Sequence, residues 1–190
     1  MSNFNRDISD RELVIAIKKS DKQSFRQLYL RYSEPLYRFL WRKLRDPELA
    51  NDLLQDVFLR FWQNRLGLDE NRNIKSYLFQ SANNRAIDHF RKLSVRQELN
   101  PDTEMADVPV YPDEYSDVDE QIRQAVDKLP TAQRNVLLLS KFEGLKYQEI
   151  SEVLNISPKT VENHMNRALK KLRQLLGPVL GMLVNWFSLW

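Results

Sequence analysis

Between Gln97 and Ile122 the chain has no lysine or arginine, yet it has nine carboxylates: Glu98, Asp102, Glu104, Asp107, Asp113, Glu114, Asp117, Asp119 and Glu120. Pro101, Pro109 and Pro112 fall in the same stretch, and its apolar residues follow no helical or strand period. Like charges repel and prolines remove backbone donors, so most of such a segment reads as an extended linker rather than as part of a core. It divides the 190 residues into two lobes of about 90 and about 60 residues, each able to bury one small core. The expected divisions are a first domain over 1–95, a linker over 96–116, a second domain over 117–176 and an apolar tail over 177–190.

The same segment changes the meaning of the net charge. The whole chain carries 29 Lys+Arg against 26 Asp+Glu, a formal +3. Setting the nine acids aside leaves 29 against 17 on the rest, or +12. Two basic lobes joined by an acidic strap point to a polyanionic partner. The chain has no cysteine, which rules out disulfides, cysteine-based zinc sites and a thiol nucleophile. No apolar N-terminal stretch resembles a signal peptide, so a cytoplasmic location is expected.

Both lobes read as helical, and no run reads as a strand. Ser9 and Glu12 form a capping box for a helix reaching about Lys19. Asp21 caps the next, whose apolar positions run from Phe25 to Leu44, and Pro35 predicts a kink or break near Ser33. Asp46-Pro47-Glu48 supplies a cap, a first-turn proline and an acidic first turn for a helix to about Arg65. A polar loop over Gly67–Asn73 leads to a last helix spanning about Ile74 to Leu93. The fold class expected is all-α, two small helical domains around an acidic linker.

The second lobe carries the most specific local pattern, YQEISEVLNISPKTVENHMNRALKKLR from Tyr147 to Arg173. Ile150, Val153 and Leu154 share one helical face, Ile156 closes a turn, Ser157 is an N-cap and Pro158 takes the first helical position. Val161, Met165, Ala168, Leu169 and Leu172 then recur at three- and four-residue spacing. The opposite face holds Lys159, Glu162, Asn163, Asn166, Arg167, Lys170 and Lys171. A short helix, a fixed turn and a polar second helix are what reading the DNA major groove requires. Two amphipathic helices of an ordinary all-α domain are the plainer alternative.

Two clusters in the first lobe exceed what a core needs. Asp52, Gln55, Asp56 and Phe58, with Arg60 and Phe61 beside them, put an acidic, hydrogen-bonding patch on a basic lobe. It is either a solvated helix face or a dock for a basic protein. Asn83, Asn84, Arg85, Asp88, His89, Arg91, Lys92 and Arg96 gather amides and cations near the end of the last helix. With Tyr77 and Phe79 upstream, this composition suits phosphates and unstacked single-stranded bases.

In order and spacing, three segments together resemble the bacterial RNA polymerase sigma factors of the extracytoplasmic-function (ECF) group of the sigma-70 family. They are DLLQDVFLRFW (Asp52–Trp62), SYLFQSANNRAIDHFRK (Ser76–Lys92) and the stretch from Leu129 to Arg173. The resemblance implies that Asp52, Gln55, Asp56 and Phe58 dock core polymerase. It implies that Asn84, Asp88, Arg91 and Lys92 face the −10 element, and that the loop residues Asp69, Asn71, Arg72 and Asn73 capture a flipped base. It assigns Glu162, Asn163, Asn166 and Arg167 to the −35 groove, with Lys159, Thr160, His164, Lys170 and Lys171 beside them and the lysines and His164 placed for phosphates. The implied partners are core RNA polymerase and promoter DNA, with an anti-sigma factor as a further one. No cofactor, metal, catalytic residue or small-molecule substrate is implied. Tyr77 stands where the family often has Trp, and Glu162-Asn163 where many members have Arg and Ser.

Two other classes compete. The run from Thr160 to His164 also resembles helix-turn-helix domains of two-component regulators, which lack the first lobe. An enzyme is disfavoured by two histidines, no glycine-rich phosphate loop and no acid pair on a cleft. The tail PVLGMLVNWFSLW is uncharged but shorter than the ~20 apolar residues a membrane span needs.

Overall fold

The structure, a computed structural model, describes the backbone of residues 8–99 and 117–186 and the side chains of 8–93 and 121–177. Most of the acidic linker (100–116), residues 187–190 of the tail and the side chain of Arg96 lie outside the described residues. The chain divides into two compact units, Met1–Val108 and Pro109–Trp190. Among the described residues the regular structure is all helical.

The first unit is a four-helix cluster. Helix α1 (Asp10–Lys18) opens with the expected capping box: the Ser9 hydroxyl accepts from the Glu12 amide, and the Glu12 carboxylate accepts from the Ser9 amide. Helix α2 (Lys22–Leu44) is capped by Asp21, which accepts from the amides of Gln23 and Ser24. It runs unbroken through Pro35, so the expected break is absent. Proline removes one helical donor and crowds the carbonyl four residues back. Here the buried stripe Tyr32, Leu36, Phe39 and Leu40 continues across that site, and the packing outweighs the lost bond. Arg31, whose carbonyl would have been the acceptor, is anchored by its own side chain to Asp10 at 2.5 Å and to the Ile8 carbonyl at 2.8 Å.

Helix α3 (Pro47–Gln63) starts on Asp46, which accepts from the Leu49 amide at 3.0 Å. It stops short of Arg65, where a single 3₁₀ turn, Arg65–Gly67, takes over. Helix α4 (Ile74–Leu99) outlasts the expected end near Leu93. No breaker occurs until Pro101, and proline disfavours helix in the residue before it. The helix therefore runs into the first residues assigned to the linker. Helices α1, α3 and α4 all pack on α2, and α3 also packs on α4.

The second unit comprises α5 (Asp117–Asp127), α6 (Thr131–Leu137), a π-type turn (Leu138–Phe142), α7 (Tyr147–Leu154) and α8 (Pro158–Trp186). Arg134 staples the α5–α6 turn, donating to the Leu129 carbonyl at 3.0 Å and to the Asp127 carbonyl. Helix α7 ends on Asn155 in the left-handed region (φ 52°), which lets the Ile156 amide reach back to the Ser151 carbonyl. Ser157 then caps α8, accepting from the Thr160 amide at 3.0 Å. Ile150 and Val153 of α7 are buried, as are Val161, Met165 and Ala168 of α8, and the two helices pack together. Helix α8 is two segments joined at Gly177, whose φ 69° and ψ 178° only glycine adopts readily. The apolar tail thus begins at a backbone break and resumes as helix to Trp186.

Candidate polymerase and promoter interfaces

On α3, Asp52 and Gln55 are exposed and Asp56 is half-exposed on the same face. Asp56 is not a lone charge. Both of its oxygens accept from Arg60 Nε at 2.9 Å, and Arg85 of α4 approaches to 3.5 Å. Phe58 is buried, 6.3 Å from the Phe25 ring and 4.7 Å from Tyr29. It supports the patch from beneath instead of projecting from it, because its helical phase matches that of Leu54 and Phe61. Phe61, named with the patch in sequence, is likewise core. Next to the acids lies a groove of about 510 Å³ lined by Phe25, Tyr29, Leu59 and Trp62. Sequence reasoning missed this groove. Its signal was Leu59, an apolar residue out of phase with the buried stripe and 55% exposed.

The loop after the 3₁₀ turn is held by its own polar groups. Asp69 accepts from the Asn71 amide at 2.9 Å, and its carbonyl accepts from the Arg72 amide. Arg72 donates to Gln80 at 2.5 Å and lies over the Tyr77 ring at 5.0 Å. Tyr77 in turn sits 6.0 Å from Phe61, so it is part core and part platform. Asn73 Oδ1 caps α4, accepting from the Ser76 amide at 2.9 Å. Asn71, Arg72 and Asn73 border a cavity of about 590 Å³; Asp69 does not.

Along α4, Asn84, Asp88 and Arg91 fall at i, i+4 and i+7 on one face, with Lys92 exposed beside them. Asp88 pairs with Arg91 at 3.0 Å. Arg85 turns instead toward Asp56. Asn83, in the same sequence cluster, points inward: it is buried and accepts from Lys43 of α2 at 2.8 Å. Burial pushes the Lys43 ammonium down to about 8. His89 is half-buried beside Phe90.

On α8, Lys159, Asn163, Asn166, Arg167 and Lys170 are exposed, and Thr160, Glu162, His164 and Lys171 are half-buried. Lys159 pairs with Glu162 at 2.8 Å, and Thr160 shares the N-cap with Ser157 through a 2.8 Å hydroxyl contact. Thr160 therefore serves the turn first. His164 is half-buried, and its Nδ1 is sealed from water with no hydrogen-bond partner, which leaves only its other ring nitrogen for a phosphate. Tyr147, at the start of α7, has its hydroxyl pKa raised by burial and then by the Glu162 charge, which shows how near α7 begins to this face.

The sequence profile described as "Sigma-70 region 2" matches residues 28–96, and that described as "Sigma-70, region 4" matches residues 119–172. The chain is 32% identical to the ECF RNA polymerase sigma factor SigX of Bacillus subtilis (strain 168), over 80% of this chain and 84% of that one. It is 30% identical to SigM of the same organism, over 78% and 93%. The solved structure of CnrH, in complex with the cytosolic domain of CnrY, covers 88% of this chain and 96% of its own at TM-score 0.66 and 28% identity. That of RpoE with the anti-sigma factor NepR from Bartonella quintana shares the fold at TM-score 0.72 and 22% identity, over 81% and 97%.

A region 2 unit followed by a region 4 unit is the architecture of a two-domain transcription initiation factor. The chain belongs to the ECF group of the sigma-70 family. It directs promoter-specific initiation by RNA polymerase. The two-component regulator alternative fails on the first unit, which carries the region 2 match over 28–96. Among the described residues no helix is long and apolar enough to cross a membrane.

Proposed function

We propose that the first unit docks core polymerase and handles the melted −10 strand, while the second reads the −35 duplex. In this reading Asp52, Gln55 and Asp56 meet a basic partner surface, and the adjoining Phe25–Tyr29–Leu59–Trp62 groove takes an apolar side chain from it. Phe58 contributes by filling the floor. Asn71, Arg72 and Asn73 receive a base unstacked from the duplex, a step that costs a few kcal/mol and is offset by capture. Asn84, Asp88, Arg91 and Lys92 line the approach of the same strand. On α8, Asn163, Asn166 and Arg167 reach base edges with Glu162 beside them, and Lys159, Lys170 and Lys171 contact phosphates. Asp69, Thr160 and His164 hold the geometry.

The observation that carries this reading is the helix-turn-helix: Asn155 in the left-handed turn, Ser157 capping α8, and an exposed amide and cation face directly after the cap. We assign the working domains as 1–95 and 117–176, the acidic segment 96–116 as the spacer, and 177–190 as an apolar tail. The cytoplasm follows from a polymerase partner. An anti-sigma factor covering these faces is the regulatory partner we infer, in keeping with the complex in which RpoE was solved. Reconstitution with core polymerase is the test. Start-site-specific transcripts are expected on a template carrying the cognate promoter. DNA binding without any directed start would leave only a sequence-tolerant adaptor.

A further inference from the structure

The first turn of α1 lies outside the segment matched to region 2, which begins at residue 28. It nevertheless forms one wall of the 590 Å³ cavity beside the 70–75 loop, where Ser9, Asp10 and Arg11 face Asn71, Arg72 and Lys75. Two ties lock α1 to this loop region. Lys18 donates to Glu70 at 2.5 Å, and Arg65 donates to the Ser20 hydroxyl at 2.9 Å.

The charge balance of the cavity is set by which groups are already bonded. Its two acids already accept hydrogen bonds within the unit. Asp10 accepts from Arg31 at 2.5 Å and from the Tyr32 hydroxyl. Glu70 accepts from Lys18, and that bond holds its carboxyl below the usual carboxylate range, with Arg11 adding a smaller attraction. The lining also carries the cations Arg11, Arg72 and Lys75. Arg72 is fixed by Gln80 and the Tyr77 ring, whereas Arg11 is exposed on the opposite wall. The capping box already satisfies the first amides of α1, so the attraction comes from side chains and not from the helix end.

We propose that this cavity binds a phosphate of the unpaired promoter strand, with Arg11 as its contact on α1, adjacent to the base taken by the loop. The proposal rests on the loop handling unpaired DNA. It makes α1 part of the strand-reading site and gives the Lys18–Glu70 tie a function, since the tie keeps the two walls at fixed separation. A fixed Arg72 and an exposed Arg11 on facing walls suit a phosphate contact that fixes register while the loop reads the base.

The test uses the full chain assembled with core polymerase and a fluorescent single-stranded DNA of mixed sequence, with the same sequence as a duplex in a second arm. Arg11→Ala is expected to weaken single-strand binding about three- to tenfold at low salt and to reduce the salt slope by about 0.7, the value for one phosphate contact on a single strand. Arg11→Lys is expected to restore the slope, and duplex binding to stay unchanged. Wild-type affinity and slope in Arg11→Ala overturn the proposal. Equal losses on single strand and duplex also overturn it, making Arg11 a general duplex contact. Asn71→Ala separates it from the reading it rests on. Loss with Asn71→Ala and none with Arg11→Ala leaves the loop reading standing and removes α1. Loss with Arg11→Ala and none with Asn71→Ala keeps the phosphate site and removes base capture at Asn71.

Discussion

Asp56 is the sharpest place to separate docking from folding. Neutralising it as Asp56→Asn keeps the shape and an acceptor while removing the charge. In the free chain its carboxylate pairs with Arg60 at 2.9 Å and Arg85 at 3.5 Å. Asp56 and Arg85 keep about a third of their side-chain exposure and Arg60 about half. Ion pairs this open contribute ~0.2–1 kcal/mol each and are weakened further by salt. The variant should therefore lose about 1 kcal/mol of stability. If polymerase brings a cation to this carboxylate, the loss in association should be larger: close charge pairs across an interface couple by ~1.5 kcal/mol or more, which is roughly tenfold in affinity.

Arg85→Ala is the matching control. It removes the longer of the two intrachain pairs, leaves Arg60 on the carboxylate and keeps the docking charge in place, so it should cost less stability than Asp56→Asn and no polymerase affinity. The assay titrates labelled chain with core polymerase at low and at physiological salt, alongside thermal unfolding of each variant. Tenfold weaker association of Asp56→Asn at low salt, converging with wild type as salt rises, is the expected outcome. Association equal to wild type at both salts would mean that Arg60 and Arg85 already occupy the carboxylate, and Asp56 would leave the docking surface.

At the −35 face, Arg167→Ala should cost ~1–3 kcal/mol on one specific base pair, while Lys170→Ala should weaken specific and scrambled duplexes alike and flatten the salt dependence. Equal loss on both duplexes for Arg167→Ala would make it a phosphate contact. Burial holds Lys43 at about 8 in the folded chain against the ordinary lysine value of 10.5, so the unfolded chain binds more protons between these values and stability rises with pH across that window. Part of the side chain still reaches water, so the gain over Lys43→Met should be ~1–2 kcal/mol, and parallel stability curves for the two proteins would refute the assignment. Replacing the nine linker acids with Asn and Gln at constant length should tighten DNA binding by the free protein at low salt; unchanged affinity would leave the segment as a spacer alone.

Local chemistry was legible wherever a few neighbouring residues decide the outcome. Ser9, Asp21, Asp46 and Ser157 each cap the helix expected of them, because a cap depends on side-chain oxygens within three residues of the amides they accept from. Pro35 does not break α2, because its penalty is local while the packing that holds the helix together comes from three other helices. Asn83 and Asn84 are equivalent in composition, and a 100° step along α4 buries one against Lys43 and exposes the other. Phe58 was assigned by motif to a surface that it supports from inside. The Asp56–Arg85 pair and the α1 wall of the loop cavity depend on segments far apart in sequence. Periodicity cannot supply such contacts.

The proposed interfaces share one electrostatic device. Arg60 and Arg85 share Asp56 on the docking face, Arg91 has Asp88 on the −10 face, and Lys159 has Glu162 on the −35 face. Each pair is exposed, so each is worth at most about 1 kcal/mol and exchanges readily for a phosphate or a polymerase side chain. Random DNA offers only phosphate attraction, and that term falls steeply with salt. Internal anions subtract from this same term and leave base-edge contacts intact. Nonspecific affinity is therefore lowered more than specific affinity. The nine carboxylates between the two basic lobes would act in the same direction if they visit those faces, which is what their replacement tests. For a factor that acts with the polymerase, weak, exchangeable self-pairing on the −10 and −35 faces would make DNA binding conditional without costing the fold its stability.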